Sequence, residues 1–147
     1  MSMYNMKRGE DTEQMRVISW AQWNERKWPE LKWLFHIPNG GKRNKAEAAR
    51  FKMAGVKAGV CDLELPVARG EYHGLFIEMK YGNNKTTEAQ EEFITFVRQQ
   101  GYCAIVCNGA EEAINVLETY LSLGDYCRPG GREAAQDGAQ PVLMPAT

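Results

Sequence analysis

Histidine is scarce in this chain: only His36 and His73 occur among 147 residues, and neither has the spacing of a metal motif. The four cysteines, Cys61, Cys103, Cys107 and Cys127, lack the paired CxxC spacing of a zinc module. Both shortages argue against a zinc site. The cysteines then read as buried free thiols of an intracellular protein in preference to disulfides. No apolar run approaches the length of a bilayer span, and the start Met1-Ser2-Met3-Tyr4-Asn5 is too polar for a secretory signal. An excess of positive charge is missing as well, with 18 Lys+Arg against 19 Asp+Glu and a formal net charge of −1. That balance weighs against a protein that holds nucleic acid by bulk charge, so a basic footprint would have to come from local clustering. No internal repeat is visible. The expectation is a soluble cytoplasmic domain.

Hydrophobic residues at 44% and charged residues at 25% are ordinary globular values, and the length suits one domain with a single substantial core. Two apolar segments, Val60 to Leu65 and Leu75 to Lys80, read as the strands of a hairpin, separated by the turn residues Arg69 to Gly74. Charged residues interrupt both: Asp62 in the first, Glu78 and Lys80 in the second. Residues two apart in a strand share a face, so Glu78 and Lys80 lie together while Ile77 and Met79 face the other way. The obvious hairpin register brings Asp62 to Glu78. Two carboxylates beside a lysine suit a hard cation and a phosphate. The plainer alternative is the wet face of an antiparallel hairpin.

The remaining elements follow from punctuation and periodicity. Residues 1–10 read as a flexible start. Asp11 or Thr12 can cap a helix running to about Lys27, with Gln14 as capping-box partner of Asp11. Glu13 shares a face with Val17 and Trp20, which admits either an inward-facing role or a plain helix-dipole contribution. Trp28-Pro29 ends that helix, and Leu31 to Ile37 reads as a short strand. His36 on it is a candidate ligand or base, although a hydrogen-bonded packing role is the more usual use. The turn Pro38-Asn39-Gly40-Gly41 opens into a basic helix from about Asn44 to Ala54. Lys42, Arg43, Lys45, Arg50, Lys52 and Lys57 cluster here with only Glu47 opposing them, either as a solvated face or as a phosphate-binding patch. Thr87 caps a helix ending at Gly101, with Gln90 as its capping-box partner at the start of a core-facing stripe. Gln90 either completes that box or turns its amide toward Glu78 and Lys80. Tyr102 to Cys107 reads as a buried strand and Ala110 to Leu123 as the last helix. A strand–helix–strand unit from Leu75 to Cys107 should be parallel with a right-handed crossover. Beyond Gly124 the Gly-, Pro- and Ala-rich tail through Thr147 reads as disordered. The result is a three-layer α/β domain over residues 11–123 with a mixed central sheet.

Asp62, then Glu78-Met79-Lys80, then Gln90 at the opening of the next helix resemble the PD-(D/E)xK nuclease superfamily. The flanking residues Ile37-Pro38-Asn39-Gly40-Gly41-Lys42-Arg43, Gly55 to Leu63 and Gly74 to Lys80 resemble its VRR-NUC branch, and the resemblance runs from about Glu13 to Leu121. One departure is visible: Cys61 precedes Asp62 where the family pattern usually has proline, a residue that shapes the backbone there and does no chemistry. The resemblance implies a restriction-endonuclease-like fold. It assigns metal ligation to Asp62, Glu78 and the backbone carbonyl of Met79, and makes Lys80 the residue that orients water or stabilises charge on the phosphate. Glu13 is similar to an acid from the family's first helix, and Gln90 to a glutamine supporting the site. Asn39, Gly40, Lys42, Arg43 and Lys57 are placed as contacts to the nucleic-acid backbone. The implied cofactor is Mg²⁺ or Mn²⁺. The stand-alone members come from phages and bacteria and resemble Holliday-junction resolvases in forming homodimers, which implies a homodimer acting on structured or branched DNA in a bacterial cytoplasm. Two readings compete with a metal-dependent DNA endonuclease: a non-catalytic DNA-binding or assembly module that keeps the fold, and a restriction-like nuclease that reads sequence. The second would need a recognition domain, for which 147 residues leave little room. Trp23, Trp28 and Trp33 are candidates either for a partner surface or for the core.

Overall fold

The computed structural model describes residues 6–39 and 44–129. Helix α1 spans Glu10–Trp23, strand β1 Phe35–His36, α2 Lys45–Met53, β2 Leu63–Leu65 and β3 Leu75–Lys80. Helix α3 covers Glu88–Gln99, β4 Cys103–Asn108 and α4 Ala110–Leu121. The strands form one sheet in the order β1-β2-β3-β4. β1 and β2 pair antiparallel, β2 and β3 antiparallel, and β3 and β4 parallel, so the sheet is mixed as expected.

β3 shows why the sheet sits at the centre. All six of its residues are buried, because helices cover both faces and no side is left to water. Leu75, Ile77 and Met79 join Val17 and Ala21 of α1 and Ala113, Val116, Leu117 and Tyr120 of α4 in one core. Phe76 points the other way and packs with Cys61, with Ile94 and Val97 of α3, and with Ala104 of β4. Three layers result: α1 with α4, the sheet, and α3. Helix α2 contributes no buried residue.

Several boundaries differ from the sequence expectation for local physical reasons. Gly9, before both Asp11 and Thr12, is the N-cap of α1, and Thr12 bonds back to it from inside the helix: its hydroxyl accepts from the Gly9 N–H at 2.8 Å and donates to the Gly9 carbonyl at 2.9 Å. At the other end the helix stops at Trp23, well before Lys27. The Asn24 side chain donates to the Trp20 carbonyl at 2.8 Å and so occupies a terminal acceptor of the helix. The strand expected over Leu31–Ile37 shrinks to Phe35–His36, because Pro29 stands at the first position of a 3₁₀ turn over Pro29–Trp33. Beyond Gly124 the chain is still held: the Gly70 N–H donates to the Gly124 carbonyl and the Cys127 N–H to the Gly70 carbonyl, both at 2.8 Å. The Tyr126 ring lies 5.6 Å from that of His73. Cys61, Cys103 and Cys107 are buried free thiols as expected, and Cys127 is an exposed one. Trp23 and Trp33 are exposed, at 86% and 60%, whereas Trp28 packs against the larger core.

One close approach ties the loop before β2 to α3. Gly59 has φ +91°, and a Cβ there would lie 2.5 Å from the backbone oxygen of Ala89. Only glycine meets both demands. Gly59→Ala is therefore expected to destabilise the protein by about 1–3 kcal/mol from backbone strain, with the overlap adding to it. Urea unfolding followed by circular dichroism measures the loss, and an unchanged midpoint would show that the loop relaxes away from α3.

Candidate active site

The hairpin register sets the site. Leu63 pairs with Ile77, which carries Asp62, the residue before β2, to the level of Glu78. Asp62 is held at two groups. Its Oδ2 accepts from the Met79 N–H at 2.8 Å, and its carbonyl accepts from the Ile37 N–H at 2.8 Å. The same carbonyl is 2.8 Å from Nδ1 of His36. His36 is thus hydrogen-bonded, the usual fate expected for it, but its partner is the backbone of a site carboxylate.

Glu78 and Lys80 lie side by side on β3 as the period of two requires. Lys80 Nζ is 3.4 Å from Glu78 Oε1, and both residues are nearly fully buried. Glu78 Oε2 is buried with no hydrogen-bond partner. Loss of hydration, then repulsion from Asp62, pushes the Glu78 carboxyl up to about 8, against the pull of Lys80. The Asp62 carboxyl is raised too, mainly by burial; the Met79 N–H, His36 and Lys80 lower it and Glu10 raises it further.

Those electrostatics bear on which ion the site would suit. A hard cation between Asp62 and Glu78 would satisfy the orphan oxygen and cancel the repulsion, and oxygen donors suit Mg²⁺ or Mn²⁺. Among the described residues no three His, Cys, Asp or Glu side chains converge as a metal cage. Two carboxylates do fit a cation that keeps several waters and shares its remaining positions with a substrate phosphate.

Glu13, Gln90 and Asn39 each engage partners of their own. Glu13 is buried, but its Oε1 pairs with Arg8 at 2.9 Å and its Oε2 lies 3.6 Å from Arg16. Glu10, one turn earlier on α1, adds to the raising of the Asp62 carboxyl, and its Oε1 accepts from the Asn84 side chain at 2.9 Å. Sequence reasoning passed over Glu10, although it lies three residues before Glu13 on the same helical stripe. Gln90 completes the capping box with Thr87: its Oε1 accepts the Thr87 N–H at 2.9 Å, and its own N–H donates to Thr87 Oγ1 at 3.2 Å. The Asn39 side chain donates to the Val60 carbonyl, which makes it a brace for the strand leading into Asp62. Lys57 is exposed and lines a depression of about 300 Å³ with Ile37, Pro38, Asn39 and Val60. Gly40, Lys42 and Arg43 lie outside the described residues. Lys45, Arg50 and Lys52 on α2 are exposed.

A mixed sheet with Asp62 facing Glu78-Met79-Lys80 is the frame of a PD-(D/E)xK nuclease domain. Residues 8–111 match the model of the VRR-NUC domain, and the chain belongs to that family. A solved structure described as a VRR_NUC domain protein is 40% identical, with a TM-score of 0.70, over 83% of this chain and 95% of its own. No curated protein matches the chain. Among the described residues no helix is long and apolar enough to cross a membrane.

The raised carboxyls make a signed prediction for the metal-free protein. An acid whose pKa is higher folded than unfolded supports the fold while both states are protonated. It loses that support as pH climbs from the unfolded value, 4.5 for Glu78, through the folded one near 8. Melting temperature in EDTA should fall between about pH 5 and pH 8 and recover on addition of Mg²⁺, whereas Glu78→Gln should flatten the fall. A wild-type profile as flat as that of the variant would remove the buried-charge account. The two α1 acids are separable in the same way: Glu10→Gln should lower the Asp62 titration midpoint read by NMR, and Glu13→Gln should leave it in place.

Proposed function

We propose that this chain is a metal-dependent DNA endonuclease that hydrolyses phosphodiester bonds in structured or branched DNA. The observation that carries the reading is the buried Glu78 carboxyl set against Asp62: its Oε1 lies 3.4 Å from the Lys80 ammonium, and its Oε2 has no hydrogen-bond partner. A purely structural hairpin has no use for that arrangement, since burying an unpaired carboxylate costs stability.

Asp62 and Glu78 would hold Mg²⁺ or Mn²⁺, with the Met79 carbonyl completing the protein's share. Such a cation supplies Lewis-acid charge at the phosphate and makes water a better nucleophile. The chain's own residues do the rest. Lys80, fixed by Glu78 and by burial, presents a point charge to the phosphate and orients the incoming water. Water adds to phosphorus, one P–O ester bond breaks, and a phosphate monoester and a free hydroxyl are left. Stabilising the extra negative charge in that transition state is the largest task, and a preorganised ammonium in a partly dry site performs it well. The exposed Lys45, Arg50, Lys52 and Lys57 supply backbone contacts that carry no sequence information. As a homodimer the protein would offer two sites to the two strands of a junction. The exposed Trp23 and Trp33 are available to such a surface.

The test is a cleavage assay with Mg²⁺ or Mn²⁺ on matched single-stranded, duplex, flap and four-way-junction DNA, each with an EDTA control. Metal-dependent cutting is expected, fastest on a branched substrate. Lys80→Ala should reduce the rate at least about 100-fold, as loss of one charge-stabilising donor does in other hydrolases, while DNA binding persists. Metal-independent binding with no cutting of any substrate would instead make the chain a non-catalytic module.

A further inference from the structure

Asp62 immediately precedes strand β2, and its carboxylate must keep one pose against Glu78. Three donors hold it: the Met79 N–H on Oδ2, and the Ile37 N–H and His36 Nδ1 on the carbonyl, each at 2.8 Å. A carbonyl oxygen can only accept, so Nδ1 of His36 carries the hydrogen. The two lone pairs of that oxygen are then both used, one by the edge strand's backbone and one by its side chain. β1 is only Phe35–His36, flanked by Leu34 and Ile37, which pack against the two cores, while α2 beyond it packs no side chain into either.

We infer that His36 is a positioning residue for the nuclease site: through Nδ1–H it locks the Asp62 carbonyl, and with it the carboxylate pose that Met79 caps. This rests on the reading of Asp62 as a metal-holding residue. Side chains that orient a ligating residue without touching the metal commonly matter about 10–100-fold in metal affinity or activity. His36 is itself exposed, so removing it creates no cavity and leaves both cores intact.

The full chain is compared with His36→Asn, His36→Gln and His36→Ala. Asparagine can place an amide N–H near the position of Nδ1, whereas glutamine reaches the position of Nε2. Three quantities are read: amide hydrogen exchange at Met79 and Ile37 in metal-free protein, Mn²⁺ affinity by calorimetry, and kcat and KM on the preferred DNA. His36→Ala is expected to speed exchange at Met79, weaken Mn²⁺ about 10–100-fold, and lower kcat with KM little changed. His36→Asn should restore all three, and His36→Gln should not. Should the alanine variant fail to fold, the asparagine and glutamine pair still decides. Rescue by glutamine alone would assign the ring's action to Nε2 and overturn the inference, as would three variants indistinguishable from wild type. If wild type binds Mn²⁺ with this His36 dependence yet cuts no DNA, the nuclease reading fails and the positioning role stands. Metal-dependent cutting indifferent to all three variants has the reverse meaning.

Discussion

A carboxylate buried in the central strand of the sheet is the constraint on which the rest of this molecule turns. Glu78 lies among apolar neighbours on β3, with helices above and below, and one of its oxygens meets no donor. Water would solvate that group far better than the protein does. Lys80 alone does not offset the cost, because Asp62 opposes it with a second negative charge. The metal-free fold therefore meets that cost by keeping the Glu78 carboxyl protonated up to about pH 8. The structure around it exists to keep the two carboxylates together in spite of their repulsion.

Each layer serves that purpose differently. The α1/α4 core fixes β3 from one face through Ile77 and Met79, and the α3 core fixes it from the other through Phe76. Parallel pairing with β4 runs the full length of β3, so Glu78 and Lys80 are set by a six-residue ladder. Asp62 is held by the Ile37 N–H and His36 on its carbonyl and by the Met79 N–H on its carboxylate. Cys61 has no ring to restrict its backbone, but it is fully buried beside Phe76, Ile94 and Val97, and packing limits it instead. The contact of Gly59 with Ala89 anchors the same loop a few residues earlier.

What was legible in the sequence were the features written in local chemistry. The Thr87–Gln90 capping box, the hairpin register and the alternation of Glu78 and Lys80 each depend on residues close in the chain, and the structure shows all of them. Where two residues satisfy the same local rule, the sequence could not choose. Glu10 and Glu13 lie three apart on one helical stripe; Glu13 pairs with Arg8 and Arg16, Glu10 accepts from Asn84, and Glu10 is the one that raises the Asp62 carboxyl. The same holds for β1. Its apolar residues suit a strand, but Pro29 and the pairing offered by β2 decide that only two residues become one. His36 belongs to this class too, because its partner lies 26 positions away.

The distribution of thiols has a practical consequence. Burial holds Cys61, Cys103 and Cys107 protonated well beyond the range of an ordinary cysteine, so they resist alkylating reagents in the folded state. Cys127 alone among them is exposed, on the segment that pairs with Gly70. Gly70 precedes the start of β3, whereas Glu78 and Lys80 stand at its end. A maleimide dye would therefore attach at one position, separated from the carboxylates by most of a strand's length. The native chain carries a ready-made handle for fluorescence, and no cysteine needs to be added or removed to use it.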